Sequence, residues 1–207
     1  MTIPGLIAPG SLGLDDQRRM PLGVRIMGLD VSITSTGVAR VDGSTFRIKT
    51  RLKDRHKRVT QIRDRLAIEV AEQRPHLAVI EDLPMITGRM SIANLKAIAG
   101  LHGVVLSVFI DADVPWAYIP PSTLKAFACD NGKADKADMQ AAAYLADGVE
   151  FADDKGGDQA DAWWLRAAGY DWAGRPLFTM PQAQRDYLSK GEWPDLYRQR
   201  YVLGADA

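Results

Sequence analysis

Three short stretches of this sequence are apolar enough to form buried strands, and longer helical stretches separate them. They lie at residues 24–31, 76–82 and 114–119. Their short length and their branched residues favour strands over helices. Strands that alternate with helices are typical of an α/β domain, in which helices cover a central sheet.

Two further strands follow the first stretch directly. Residues 35–42 and 44–50 alternate in polarity around Asp42-Gly43, which is a hairpin signal. The helical stretches lie at 54–74, 91–108, 121–131, 134–146 and 158–168. We therefore predict an α/β domain with a mixed five-stranded sheet flanked by helices. Three antiparallel strands come first and two parallel strands follow, joined by a right-handed crossover.

The length of the chain, 207 residues, suits one domain with short appendages. An apolar fraction of 46% and a charged fraction of 25% are ordinary for a soluble globular protein. Residues 1–22 lack the basic and apolar regions of a signal peptide, so we predict a flexible leader, within which Met20 is an alternative start. The domain is predicted at 23–170, with 171–207 packed on it as a C-terminal extension.

Cysteine content and hydropathy exclude several classes of protein. Because Cys129 is the single cysteine, the chain has neither an intramolecular disulfide nor a cysteine-rich zinc site. This fits a reducing cytoplasm. No stretch reaches about 18 uninterrupted apolar residues, so we expect no membrane span.

Equal numbers of basic and acidic residues, 26 of each, conceal an uneven distribution of charge. Residues 47–65 hold nine Lys or Arg against two acids, whereas 147–161 hold six acids against one Lys. The basic run can bind a polyanion, and the acidic run requires cations or burial. Taken alone, either run is also explained as a solvated face.

Four carboxylates lie where predicted buried elements begin or end. Asp30 and Glu81 end two apolar strands, and an unpaired buried carboxylate is costly to desolvate. Asp158 and Asp161 are three residues apart at the start of a helix, so they share one helix face. If the two strands are neighbours, all four acids lie near one edge of the sheet.

Clustered carboxylates repel one another unless a cation joins them. Hard divalent cations such as Mg²⁺ prefer oxygen ligands, and two of them about 4 Å apart promote phosphodiester hydrolysis. The four acids therefore predict a metal-dependent nuclease. Each acid also has a plainer explanation: a helix N-cap for Asp158, a turn residue for Asp30 and a solvated strand end for Glu81. Asp153 or Asp154 could also take the place of Asp158.

Four segments of the chain carry recognisable motifs, in order and at matching spacing, between about residues 24 and 168. They are Ile26-Met-Gly-Leu-Asp30-Val-Ser-Ile-Thr-Ser-Thr-Gly37, Val79-Ile-Glu81-Asp-Leu, Asn131-Gly-Lys133-Ala-Asp-Lys136-Ala-Asp-Met-Gln140 and Gly157-Asp158-Gln-Ala-Asp161-Ala. Together they resemble the motifs of the RuvC-type Holliday junction resolvases. The resemblance implies a ribonuclease H-like fold.

The resemblance also implies a homodimer that binds a four-way DNA junction and nicks paired strands with two Mg²⁺ ions per active site, for which Mn²⁺ can substitute. It makes Asp30, Glu81, Asp158 and Asp161 the metal ligands, and it places Lys133 and Lys136 beside the junction backbone. The helix at 91–110 would pair the two subunits. Further candidates for DNA contact are Arg51, Lys53, Arg55, Lys57, Arg58 and Arg89.

The chain also departs from the family pattern. The turn after Asp30 lacks the usual Gly or Pro neighbours, the basic run is heavier, and neither the leader nor the Trp-containing tail has a counterpart. These differences suggest a divergent, phage-encoded member that acts in the host cytoplasm. A flap nuclease or general branched-DNA nuclease of the same fold is the main alternative. More distant alternatives are a non-catalytic DNA-binding domain and a relative of the actin-like ATPases.

Overall fold

The computed structural model describes residues 23–51, 53–83 and 91–194. The strands are β1 (Ile26–Asp30), β2 (Ser35–Ala39), β3 (Thr45–Lys49), β4 (Leu77–Glu81) and β5 (Trp116–Ile119). The helices are α1 (Arg55–Gln73), α2 (Ile92–Asp111), α3 (Pro121–Cys129), α4 (Lys136–Asp147), α5 (Asp158–Trp172) and α6 (Gln182–Asp186). A 3₁₀ turn, Tyr187–Lys190, follows α6. The predicted leader 1–22 lies outside the described residues.

The described strands form one sheet in the order β3-β2-β1-β4-β5. The pairs β1–β2 and β2–β3 are antiparallel, and the pairs β1–β4 and β4–β5 are parallel. The predicted mixed sheet, with three antiparallel strands followed by two parallel ones, is therefore confirmed. The hairpin between β2 and β3 turns at Gly43, whose φ of 94° suits glycine.

Helices cover both faces of the sheet, because alternate residues of each strand point to opposite sides. Met27 and Leu29 of β1 face the side covered by α1 and α2. Ile26 and Gly28 face the side covered by α5, with α3 and α4 beside it. Asp30 shares the phase of Ile26 and Gly28, so it also points toward α5.

Helix α1 shows how local sequence positions these layers. Asp54 caps its N-terminus by accepting a hydrogen bond from the His56 backbone N–H at 2.8 Å. Buried Ile62 and Leu66 recur at helical spacing and pack against the sheet. Pro75 predicts the end of this helix, and the helix does end there: its C-cap, Arg74, has a left-handed backbone conformation.

Helix α5 lies on the sheet in direct backbone contact with β1 and β2. A Cβ added to Gly28 would lie 2.1 Å from the carbonyl oxygen of Ala162, and one added to Gly37 would lie 1.9 Å from that of Asp158. No side chain fits in either space. These two glycines therefore bring the N-terminus of α5 against the ends of the strands.

The described part of the tail packs on the domain. Helix α5 runs to Trp172, past the predicted domain boundary at residue 170, and the rings of Trp172 and Trp193 stack with centroids 4.6 Å apart. Backbone hydrogen bonds of 3.0 and 2.8 Å join Tyr118 of β5 to Glu192. Residues 195–207 of the predicted extension lie outside the described residues.

Helix α2 has an unusual composition for a surface helix. Within the part of the chain that the structure describes, it alone is long and apolar enough to cross a membrane by length and composition, with a mean hydropathy of 1.6. Core helices of soluble proteins pass the same test. One face of α2 packs Leu101, Val105 and Phe109 against the sheet.

Candidate active site

Two of the predicted acids lie side by side at the carboxyl edge of the sheet. Asp30 ends β1 and Glu81 ends β4, and these strands are parallel neighbours with Leu29 level with Ile80. The next step of the register places Asp30 beside Glu81. Because both acids share the phase of the residues that face α5, their side chains project toward the same helix.

The carboxyl groups of Asp30 and Glu81 are close enough for each to shift the pKa of the other. Burial, the charge of Glu81 and the charges on α5 raise the pKa of Asp30 well above its usual value. Burial and the charge of Asp161 raise the pKa of Glu81 to about 7. Without a bound cation the pair therefore retains a proton near neutral pH, and that proton belongs to the pair rather than to one residue.

The other two predicted acids lie in the first turn of α5, within electrostatic reach of this pair. Asp158 and Asp161 both act on the pKa of Asp30 and of Glu81. Burial raises the pKa of Asp161 itself to about 6, and the charges of Lys125 and Lys136 oppose that rise. The structure thus brings the four acids together at one edge of the sheet.

The N-cap explanation of Asp158 is wrong. The cap residue of α5 is Gly157, and the N-terminal N–H groups of Gln159 and Ala160 donate instead to Oδ2 of Asp154, at 3.0 and 3.1 Å. Asp158 accepts a hydrogen bond from the Ser35 hydroxyl at 2.5 Å. Asp154 therefore satisfies the first N–H groups of α5 through one carboxylate oxygen.

The structure also bears on the plainer explanations of the two strand acids. The charges of Glu81, Asp161 and Asp158 all raise the pKa of Asp30, so its carboxyl group lies near the other acids. Glu81 is half-buried at the end of β4, and burial is the largest cause of its raised pKa. A fully solvated strand end does not account for that rise.

The chemistry of the four acids fits a hard divalent cation. Carboxylate oxygens are the ligands that Mg²⁺ and Mn²⁺ prefer, and the mutual repulsion of four acids favours a bound cation. Within the described residues, however, no three His, Cys, Asp or Glu side chains converge closely enough to enclose a metal ion. One of the four, Asp158, accepts a hydrogen bond from Ser35.

Sequence reasoning missed a cation beside the acids. Lys125 of α3 is close enough to lower the pKa of both Glu81 and Asp161. The sequence did contain a sign of Lys125: a helix begins at Pro121 directly after β5, so it starts at the same edge of the sheet as the acids. Arg47 of β3 is also missing from the predicted site, although it lies 3.9 Å from Asp158.

The two lysines predicted beside the junction backbone flank the start of α4. Lys136 is its first residue, and its aliphatic stem packs over Gly157, whose added Cβ would lie 3.1 Å from Lys136 Cγ. Lys133 is exposed in the preceding loop, where its N–H donates to Asn131 Oδ1 at 3.0 Å. Lys136 is close enough to oppose the raised pKa of Asp161.

The predicted basic residues lie at the same end of the fold. Lys49 ends β3 beside Ser35, and the chain then passes directly into α1, so the N-terminus of α1 lies near this edge. A groove of about 370 Å³ between α1 and α2 is lined by Arg55, Arg63 and Lys96. The described candidates for DNA contact in this region are Arg51, Lys53, Arg55, Lys57 and Arg58. Arg89 lies outside the described residues.

Comparisons with known proteins bear on both sequence and fold. The crossover junction endodeoxyribonuclease RuvC of Nocardia farcinica (strain IFM 10152) is 28% identical over 149 residues, which cover 67% of this chain and 77% of the relative. RuvC of Thermus thermophilus in complex with a Holliday junction substrate superposes with a TM-score of 0.60 at 22% identity, covering 73% of this chain and 97% of that one. The chain is RuvC-like in sequence and fold. No protein-family model matches it.

A second structure of Thermus thermophilus RuvC gives the same result, with a TM-score of 0.57 at 22% identity over 73% of this chain and 98% of that one. The RuvC resemblance and the ribonuclease H-like fold predicted from the motifs are therefore confirmed. In this RuvC-like fold, the strand ends and the start of α5 meet where the motifs place their acids.

Proposed function

We propose that this chain is a structure-selective endodeoxyribonuclease that resolves four-way DNA junctions by paired nicks. The observation that carries the proposal is that Asp30, Glu81, Asp158 and Asp161 lie within electrostatic reach of one another at one edge of a RuvC-like sheet. The relative from Nocardia farcinica is named a crossover junction endodeoxyribonuclease, and the first Thermus thermophilus structure contains a Holliday junction substrate. Both names support a branched-DNA substrate.

The four carboxylates would hold two divalent cations, Mg²⁺ or in its place Mn²⁺. Such ions, when bound, lower the pKa of an attacking water and stabilise the leaving oxygen of a phosphodiester. Asp30 and Glu81 must first release the proton they share, because metal and protons compete for the same oxygens. Lys125 and Lys136, which flank Asp161, are placed to neutralise the phosphate that enters the site.

The DNA path extends from the acids in two directions. On one side, Lys133 and Lys136 stand at the start of α4. On the other side, the basic run leads into the groove between α1 and α2, through Arg51, Lys53, Arg55, Lys57 and Arg58. Lys and Arg that neutralise phosphates supply most of the sequence-independent affinity for DNA. Arg89 is proposed as a further contact from the sequence alone.

A homodimer would give the two active sites that paired nicks require, and α2 is the proposed contact. Its outward face carries exposed Ile92 and Ile110, with relative exposures of 72% and 62%. Gly103 is exposed on α2, and no atom of the described residues outside its own helix turn lies within 4 Å of a Cβ added to it. This open, apolar and partly glycine-lined face allows close approach of a second helix.

The test compares a synthetic four-way junction, a flap and a linear duplex of the same arm sequences, each with Mg²⁺ and with EDTA. We expect Mg²⁺-dependent, symmetric nicks in two strands near the branch point of the junction, and little cutting of the linear duplex. Faster cutting of the flap, with single nicks in the junction, would favour the flap nuclease. Failure to cut any branched substrate at any Mg²⁺ or Mn²⁺ concentration would overturn the proposal.

A further inference from the structure

The carboxylate of Asp158 is held from the sheet side by two groups that the proposed mechanism does not use. Its Oδ2 accepts a hydrogen bond from the Ser35 hydroxyl at 2.5 Å. The same oxygen lies 3.9 Å from Nη1 of Arg47. Ser35 lies on β2 and Arg47 on β3, so two neighbouring strands both face the same oxygen of this carboxylate.

Arg47 is an unusual member of the basic run, because most of its side chain is covered. Only 11% of it is exposed, and its guanidinium lies among three acceptors of residues 153–158. Nη2 donates to the carbonyl oxygen of Asp153, Nε lies 3.8 Å from Oδ1 of Asp154, and Nη1 faces Asp158. The planar fork of an arginine can reach three such groups at once, whereas the single ammonium of a lysine cannot.

Asp154 supplies the charge that retains Arg47 in this place. Its side chain is fully buried, and Oδ2 caps α5 through the N–H groups of Gln159 and Ala160. No hydrogen bond from any described residue reaches Oδ1. A buried carboxylate with an unsatisfied oxygen requires a nearby cation, and Arg47 is the cation beside it.

The loop between Ala152 and Asp158 is fixed by neighbouring helices as well. The side-chain amide of Gln140 on α4 donates to the Asp154 carbonyl oxygen at 2.7 Å. The side-chain amide of Gln159 on α5 donates to the Ala152 carbonyl oxygen at 3.0 Å. The loop that presents Asp158 is therefore held by β3, α4 and α5 together.

We propose that Arg47 is a positioning residue for the metal ligand Asp158, anchored in place by Asp154. This inference rests on the proposed function, since it needs Asp158 to bind metal. Arg47 acts on the reaction through Asp158: it fixes the orientation of that carboxylate and of the loop that carries it. Groups that orient a metal ligand from outside the coordination sphere commonly change metal affinity or activity by about 10- to 100-fold.

The experiment measures Mn²⁺ affinity by titration calorimetry, and kcat and KM on a four-way junction, for the wild type and three variants of the full chain. Arg47→Lys keeps the charge and loses the fork. Asp154→Asn keeps an oxygen for the helix cap but removes the charge that retains Arg47. Lys49→Gln is the matched control, because it removes an exposed cation two residues farther along the same strand.

We expect Arg47→Lys and Asp154→Asn each to weaken Mn²⁺ binding by about 10-fold and to lower kcat, with KM for the junction within about twofold of wild type. Lys49→Gln should keep the wild-type Mn²⁺ affinity. The measurements are made at a temperature where circular dichroism shows every variant folded, so a role limited to stability would leave Mn²⁺ affinity unchanged.

The outcomes separate this inference from the proposed function. A wild type that binds Mn²⁺ and cuts the junction, with Arg47→Lys and Asp154→Asn equal to it in Mn²⁺ affinity, would overturn the role of Arg47 alone. A raised KM with unchanged Mn²⁺ affinity would make Arg47 a DNA contact and would also overturn it. A wild type that neither binds Mn²⁺ nor cuts any branched DNA would overturn the proposed function itself.

Discussion

Asp30 and Glu81 lie side by side at the ends of two neighbouring parallel strands, on the face of the sheet that α5 covers, and each shifts the pKa of the other. Two adjacent carboxylates are costly to ionise together without a compensating charge. In the metal-free protein a proton supplies part of that compensation. A divalent cation would supply that compensation in place of the proton, and the four carboxylates are the groups that would hold it.

The first prediction concerns these two acids. Asp30→Asn and Glu81→Gln should each reduce Mg²⁺-dependent cleavage of a four-way junction by about a thousandfold, the scale on which loss of an essential catalytic group acts. Junction binding, measured by fluorescence anisotropy in Ca²⁺, should stay within about twofold of wild type, because these acids are predicted to hold metal rather than DNA. Full cleavage activity in either variant would contradict the site assignment.

Asp82 provides a matched control for that experiment. It follows Glu81 directly, but its charge acts on the pKa of His102 and of Tyr118. Their neighbours belong to the core on the α1–α2 side of the sheet, away from α5. Asp82→Asn removes an acid next to the active-site residue without removing a predicted ligand. Asp82→Asn should retain cleavage activity within a few-fold of wild type. If it lost as much activity as Glu81→Gln, removal of any acid from this segment would abolish cleavage, and the result for Glu81 would not identify a metal ligand.

The second prediction is a pH dependence of stability in the metal-free protein. Folding raises the pKa of Glu81 to about 7 and of Asp161 to about 6, so the folded state binds protons more tightly than the unfolded state. The free energy of unfolding should therefore fall as the pH rises from about 4.5 to about 7 through this cluster. Thermal unfolding in EDTA should show a smaller fall for Glu81→Gln than for wild type.

Glu69 is a control whose effect on stability should have the opposite pH dependence. Hydrogen bonds and charge from Arg40 lower its pKa, and Arg65 also pairs with it at 2.6 Å. Its contribution to stability is therefore present above its unfolded pKa and is lost as the pH falls through the folded one. Glu69→Gln should lower stability at pH 7, whereas Glu81→Gln should raise it in EDTA. The same sign for both variants at pH 7 would contradict the proton-sharing cluster.

The sequence predicted the sheet and its acids because both have local signals. Asp30 and Glu81 end apolar strands, and the Asp42-Gly43 turn specifies the hairpin between β2 and β3. The roles of Arg47 and Asp154 have no such signal. Arg47 contacts residues more than a hundred positions away, and in sequence it looks like any other member of the basic run. Asp154 caps α5 from four residues before its start, outside the usual cap position.

The third prediction concerns the contact between α5 and the sheet. Gly28→Ala and Gly37→Ala should each destabilise the protein by about 3 kcal/mol or more, because the added methyl group overlaps backbone atoms of α5 that cannot move independently. Gly100→Ala is the control: its Cβ would meet open space in α2, and alanine favours the helix by about 1 kcal/mol. Chemical denaturation measures all three, and a near-neutral Gly37→Ala would contradict the close packing.

The fourth prediction concerns the proposed dimer. Gly103→Arg places a large charged side chain on the exposed face of α2, where no atom lies within 4 Å of the added Cβ. Sedimentation should show the wild type as a dimer and this variant as a monomer at the same micromolar concentration. Ala141→Arg adds the same side chain to an exposed position of α4 and should leave the dimer intact. A monomeric wild type would refute the dimer.

The fifth prediction concerns the start of α1, where Arg55 and Lys57 are exposed near the active-site edge. A plot of log affinity for the junction against log salt concentration has a slope of about −0.9 for each phosphate neutralised. If Arg55 and Lys57 each neutralise one phosphate, the double variant Arg55→Glu with Lys57→Glu should make this slope shallower by about 1.8. Arg74→Glu, at the opposite end of the same helix, should leave the slope unchanged because it lies about 28 Å away, at 1.5 Å per residue. An unchanged slope in the double variant would mean that these two residues are exposed to solvent and do not contact DNA.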